Sequence, residues 1–231
     1  METMDVEQLA GYLSRDAREL GKLASRGVLP ARKVNGEWRF AKAEIHHWLS
    51  TRLHEMTHAE LTGIEDAHTL DVPEPLLANL LRPECVAVPL AASTRPSVLR
   101  ELVRLAEASY LVYDEDALRT ALQQREDMAS TALPGGVAIP HPHRPAGPGV
   151  LGDCVVAFGR TGRGIGYGGP RGELTDLFFL VACTNDRTHL RVLARLGRLI
   201  QTEGFLDQLR EAEDAATTHA IILEAEARLP G

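Results

Sequence analysis

From about Leu76 to the end of the chain, short apolar runs alternate with longer amphipathic segments, and no other feature narrows the possible folds as far. Interleaved strand and helix periods require helices packed on a sheet. The strand candidates are ECVAVPL, VAIP, CVVAF and LTDLFFLVA. Between the first two, RPSVLRELVRLAEAS places Leu99, Leu102, Val103 and Ala106 on one face, behind a cap at Ser93 or Thr94 and with Pro96 in the tolerated first turn. Asp114 opens DEDALRTALQQRED in the same way, a long amphipathic helix is expected from Thr188 to about Thr202, and two more helices follow. Residues 76–231 are thus predicted to form an α/β domain. Only 5% of the residues are aromatic, so its core must be mainly Leu, Val, Ala and Ile, and stacking platforms for single-stranded nucleic acid are not expected.

The first 55 residues follow another order: helix, turn, helix, hairpin, helix. MDVEQLAGYL aligns Val6, Leu9, Ala10 and Leu13; Ser14 is placed to cap a second helix carrying Leu20, Leu23 and Ala24, which Gly27 ends. Asn35-Gly36 between short alternating runs is a strong hairpin signal, because both turn positions favour positive φ. AKAEIHHWLSTRL then repeats Ile45, Trp48, Leu49 and Leu53 at helical spacing. Residues 56–75, which mix short apolar pieces, acids and two prolines, are expected to be a linker with at most a short helix.

This N-terminal pattern resembles the small winged helix-turn-helix domains of the excisionase and MerR type, on Arg26-Gly27, Leu29-Pro30, Asn35-Gly36, Trp38-Arg39-Phe40 and Trp48-Leu49. The resemblance implies binding of double-stranded DNA, with Arg15, Arg18 and Lys22 toward the major groove and Arg32, Lys33, Arg39 and Lys42 near phosphates. Asp16 and Glu19 interrupt that face, and a homodimer reading two half-sites is expected to strengthen binding. The net charge of −7 divides unevenly: nine Lys and Arg against eight Asp and Glu make residues 1–55 +1, which leaves −8 for the remainder. Whole-chain acidity therefore conceals the one segment suited to a polyanion.

Three cysteines without a C-x-x-C pair, Cys85, Cys154 and Cys183, suggest neither a disulfide framework nor a thiolate zinc site and fit a reduced cytoplasm. Neither a signal-like start nor a run long enough for membrane insertion is present in the sequence. A literal G-x-G-x-x-G at Gly164, Gly166 and Gly169 precedes a strand rather than a helix, so it is read as a close-turning loop and not as a dinucleotide site.

The most informative segment runs from Arg125-Glu126 through Ser130-Thr131 to Gly136-Val137-Ala138-Ile139-Pro140-His141. A histidine directly after a short apolar strand and a proline is held at a strand end, which suits a nucleophile. One imidazole nitrogen can attack phosphorus while the other is fixed by a hydrogen bond. With Asp176-Leu177-Phe178-Phe179-Leu180 and His189-Leu190 leading into LARLGRLI, residues from about 80 to 228 resemble the enzyme IIA domain of the mannitol/fructose class of the bacterial sugar phosphotransferase system, including its nitrogen-regulatory paralogue. The resemblance implies a mixed-sheet domain with helices on both faces. It also implies that His141 is phosphorylated by a histidine phosphocarrier protein, most simply on Nε2, with His189 beside it and Arg125 meeting the phosphoryl group. Thr131 and Arg144 are further phosphate-binding candidates, and no cofactor, metal or nucleotide is needed for that step.

His143 is read either as a second polar group at the site or as an exposed loop residue. A zinc alternative joins His141-x-His143 with His189, and His54-x3-His58 offers a weaker pair on one helix face. The expected function is a cytoplasmic regulator coupling a phosphohistidine domain to DNA binding. The alternatives are a phosphoryl-transfer component whose N-terminal domain binds protein, acting with a separate sugar transporter or regulatory partner, and a non-phosphorylated IIA-like adaptor.

Overall fold

The computed structural model describes residues 2–69 and 74–230. A short strand, β1 (Thr3–Met4), leads into α1 (Val6–Leu13), where Asp5 and Gln8 form a reciprocal capping box. The expected cap at Ser14 belongs instead to Asp16, whose carboxylate accepts from the Glu19 amide at the start of α2 (Ala17–Ser25). Ser14 ends α1 in the left-handed region (φ 51°), because the tight turn must reverse before the extended cap residue. The hairpin expectation holds: β2 (Arg32–Val34) and β3 (Glu37–Ala41) pair with Val34 opposite Glu37 around Asn35 and Gly36, both at positive φ. β1 adds a third strand on the free edge of β3, too short to be visible as a period-2 pattern. The unit closes with α3 (Lys42–Arg52), which buries Ile45 and Leu49 and also, unusually, His46 and Ser50.

The stretch expected as a linker contains α4 (His58–Ala67), capped by Thr57 and Glu60. Residues 70–73 of that stretch lie outside the described residues. α4 is not solvated: Leu61, Ile64 and Glu65 are buried, and it packs on both α1 and the long helix of the second domain.

That second domain comprises α5 (Leu76–Leu80), β4 (Val86–Leu90), α6 (Arg95–Glu107), α7 (Glu115–Met128), β5 (Ala132–Leu133), β6 (Val137–Ala138), β7 (Val155–Ile165), β8 (Thr175–Ala182), α8 (Asp186–Gln201), α9 (Phe205–Glu211) and α10 (Ala215–Ala227). The sheet order is β4-β7-β8-β6-β5, parallel at β4/β7 and β6/β8 and antiparallel elsewhere. Every residue of β8 from Leu177 to Ala182 is buried, so both faces of the sheet are covered, as a continuous apolar run requires. Thr94 and Asp114 cap α6 and α7 as expected. α8 begins two residues earlier than expected, at Asp186, because Asn185 caps it; this places His189 in the first turns of the helix.

The G-x-G-x-x-G segment begins at Gly164 near the end of β7 and continues into the β7–β8 connection. A Cβ at Gly169 would stand 2.5 Å from the Glu173 carbonyl, which accounts for glycine there by backbone packing alone. Cys154 and Cys183 correct the expectation of unpaired cysteines, since they form a disulfide. They lie 29 residues apart in sequence but stand one step beyond the Val155–Ala182 pair that ends the β7/β8 ladder, Cys154 before Val155 and Cys183 after Ala182, an adjacency that spacing alone does not reveal. Cys85 stays free and buried, with its thiol pushed up to about 11 by burial. No helix among the described residues is long and apolar enough to cross a membrane.

Candidate functional site

His141 follows β6 where the chain is pinned on both sides. The Ile139 amide donates to Thr131 O at 3.2 Å and the Val181 amide to Pro140 O at 3.0 Å, so backbone pairing continues up to the histidine. Its Nδ1 lies 2.7 Å from Ile139 O. A carbonyl can only accept, so Nδ1 carries the proton and Nε2 keeps its lone pair. His189, from the start of α8, sits with its ring centroid 5.2 Å from that of His141. Both rings are buried, 4% and 7% exposed.

Arg125 comes from the last turn of α7 and is 1% exposed. Its Nη1 donates to Ala129 O at 2.7 Å and its Nη2 to Ser50 Oγ at 2.9 Å, while Nε has no partner among the described residues. Among the described residues Arg125 makes no ion pair: the adjacent Glu126 carboxylate is committed to Arg95, at 2.5 Å, and to the Thr131 hydroxyl. The buried Thr131 hydroxyl thus donates to Glu126. Arg144 lines a cleft of 220 Å³ with Lys42, His46, His143 and Asp186.

Sequence reasoning missed an entire wall of this site, supplied by the N-terminal unit. The His46 ring stacks with that of His189 at 6.1 Å, its Nε2 accepts from the Tyr12 hydroxyl, and its Nδ1 lies 3.4 Å from Asp186. Lys42 Nζ pairs with the same Asp186 at 2.9 Å. His143 faces His47, ring centroids 6.4 Å apart, rather than standing free in a loop. Adjacent histidines on one helix, His46-His47, were the only signal in the sequence, and they carry no information about the domain they meet.

Of the groove and phosphate candidates, Arg18, Lys22, Arg32 and Lys33 are exposed on α2 and the wing. Arg39 is half-buried and paired with Glu37, and Arg32 reaches Glu44. Arg15 is held by Glu19 and by Glu60 of α4, and Lys42 is turned to Asp186 and Glu2. Lys42 thus serves the contact between domains, and Arg15 the contact of α2 with α4. His54 lies in the turn after α3 beside Glu55 and His58 opens α4, so they do not share a helix face. Among the described residues no group of three or more His, Cys, Asp or Glu is placed to hold a metal ion.

Burial dominates the electrostatics. It pushes His46 down to about 4 and His189 to about 3, holds His141 well below 6.5, and lowers His47, His68 and His143 as well. Asp186 opposes the shift at His46 and His189, whereas Arg125 adds to it at His141, His189, His47 and His143. These rings are neutral when folded, and their unfolded counterparts protonate near 6.5. The unfolded chain then binds more protons, so stability is complete above about pH 7 and falls as the pH drops below about 6.5, by up to ~1.4 kcal/mol per pH unit for each ring. The loss continues toward pH 4 for His46 and pH 3 for His189. Urea midpoints measured from neutrality to about pH 5, above most carboxylate titration, are expected to decline steeply; a flat profile would mean that these rings are not buried neutral.

The sequence model of the family described as "Phosphoenolpyruvate-dependent sugar phosphotransferase system, EIIA 2" matches residues 79–225, and that of a helix-turn-helix domain matches residues 3–53. The chain belongs to the EIIA 2 family and carries a helix-turn-helix domain ahead of it. The "Nitrogen regulatory protein" of Bradyrhizobium diazoefficiens is 30% identical over 148 residues, which cover 63% of this chain and 94% of that protein. The "PTS system fructose-specific EIIABC component" of Bacillus subtilis is also 30% identical, over 139 residues. That match covers 59% of this chain and only 21% of the relative's length. Among solved structures, nitrogen regulatory protein IIA-Ntr from Neisseria meningitidis aligns with a TM-score of 0.56 at 27% identity, covering 64% of this chain and 99% of that one. IIA mannitol from Escherichia coli, at 18% identity and a TM-score of 0.54 over 61% of this chain and 97% of that one, shares the fold.

Proposed function

We propose that the chain is a regulator in which the IIA domain accepts a phosphoryl group on His141 from a histidine phosphocarrier protein, and in which the helix-turn-helix domain binds double-stranded DNA. The observation that carries this reading is a buried guanidinium, without an ion pair among the described residues, whose charge reaches an imidazole with its Nδ1 proton already engaged. An unneutralised buried cation is costly, and an arriving dianion removes that cost. In the step itself the Nε2 lone pair of His141 forms a bond to phosphorus as the donor's N–P bond breaks. The electron pair of that bond returns to the donor imidazole, and the Nδ1 proton stays shared with Ile139 O. Arg125 meets the charge on the equatorial oxygens and His189 flanks the acceptor ring, so the protein contributes position and positive potential rather than covalent chemistry. Arg18 and Lys22 on α2 and Arg32 and Lys33 on the wing are the exposed cations suited to a duplex.

Incubation with phosphoenolpyruvate and the general carrier proteins is expected to add one acid-labile phosphoryl group to the intact chain, detected by mass. His141→Ala abolishes that gain, while His143→Ala retains it. Incorporation that survives in the His141→Ala chain would remove this residue from the acceptor role.

A further inference from the structure

The third helix of the reader unit lies across the approach to the acceptor ring. Ser50 Oγ accepts the Arg125 Nη2 proton that a phosphoryl oxygen would take and itself donates to His47 O at 3.0 Å. His46 stacks with His189, and Lys42 pairs with Asp186 at the start of α8. In-line transfer needs the donor imidazole beyond phosphorus on the far side of Nε2, with the equatorial oxygens free to meet hydrogen-bond donors. A ring 4% exposed, with its arginine already bonded to Ser50, offers neither.

The contacts α3 makes with the site are of an exchangeable kind. Each is a hydrogen bond, ion pair or ring contact between groups that water can solvate. The attachment of α4 differs in character. Leu61 and Ile64 are buried where α4 packs on α8, and Leu61 meets Gly197 so closely that a Cβ there would stand 3.2 Å from Leu61 Cδ1; the turn before α4 is tied down as well, Gln201 Nε2 donating to the carbonyls of Leu53 and Met56 at 3.0 Å. The N-terminal unit is thus firmly held at one end and held by polar contacts over the pocket.

We infer that α3 is a latch on the phosphoryl pocket: the face carrying Lys42, His46 and Ser50 and the docking surface of the phosphocarrier compete for the same ground, and a phosphoryl group on His141 keeps the latch open. Once transferred, the dianion takes Arg125 from Ser50 and brings negative charge toward Asp186, the residue that Lys42 and His46 hold. This inference rests on His141 being the acceptor. Only the fraction of chains with α3 lifted is competent, and the transfer rate scales with that fraction.

The test uses the full chain with two separate openings of the latch. Ser50→Arg sets a second guanidinium against Arg125, and Lys42→Glu sets a carboxylate against Asp186. Both variants are expected to take up the phosphoryl group about tenfold faster or more than the parent chain. Hydrogen exchange should be faster at α3 amides and unchanged across β7 and β8, which separates release from unfolding. Phosphorylated parent protein should show the same faster exchange at α3. Equal phosphorylation rates in the parent and in both variants, with α3 released in the variants, overturn the latch and leave the acceptor role of His141 standing. Absence of phosphorylation in all three, with α3 released, overturns the acceptor reading and the latch with it.

Discussion

Replacement of Arg125 by methionine is expected to slow phosphoryl incorporation by about 10²–10³-fold while leaving the fold as stable as before or more so. The two effects come from one cause. A guanidinium 1% exposed, without an ion pair and with Nε unbonded, is a charge removed from water with incomplete return. Burial already lowers its affinity for the proton, and the charge of Glu126 only partly offsets this. Methionine fills similar volume with no charge to desolvate, at the loss of one donor to Ala129 O; Ser50 Oγ retains its bond to His47 O. Single-turnover phosphorylation and urea unfolding of the same preparation provide both readouts. A variant destabilised by several kcal/mol would make Arg125 a structural tie, and an unaltered rate would exclude it from the pocket.

Arg195→Met is expected to have the opposite character, costing about 3–5 kcal/mol. Arg195 on α8 donates from Nε to Glu65 at 2.7 Å, from Nη1 to Glu226 at 2.7 Å and from Nη2 to Glu74 at 2.9 Å. Arg198 supports Glu65 at 3.2 Å. Even with both arginines present, burial holds the Glu65 carboxyl above its ordinary range, so removal of Arg195 leaves a carboxylate that is expensive to keep ionised. Glu226 is less exposed to the loss, since it also accepts from the Leu77 and Ala78 amides at the start of α5. A double variant, Glu65→Leu with Arg195→Met, is therefore expected to recover most of the stability, as apolar replacement of a whole buried pair often does. Urea midpoints for the two variants check both statements; a double variant no better than Arg195→Met would place the cost in packing rather than charge.

The turn at Asn35-Gly36, the caps at Thr94 and Asp114 and the strand LTDLFFLVA were legible because each depends on a few adjacent residues. β1 and β5, two residues apiece, and α5, a single short turn, fall below any detectable period. The stretch before Glu74 mixes short apolar pieces with acids and shows no long period, so α4 was expected at most as a short helix in a linker; nothing local marks Glu65 as buried, because its partners lie 130 and more residues away. The pocket divides along the same line. His141, His189 and Arg125 sit in local patterns of one domain, whereas Tyr12, Lys42, His46 and Ser50 belong to it only through docking, which no local pattern encodes. The disulfide is the same case, formed by strand register rather than spacing.

With the latch closed, Arg18, Lys22, Arg32 and Lys33 remain at the surface. On the proposed reading, the four cations offered to a duplex therefore stay accessible while α3 covers the pocket. On the proposed dimeric reading, two chains on one duplex would have their helix-turn-helix units held at a separation that α4 and the bodies it packs on help to set. Lifting α3 relaxes that separation without masking a single cation. An operator would then register phosphorylation as a loss of avidity between paired half-sites, with contact at each half-site preserved.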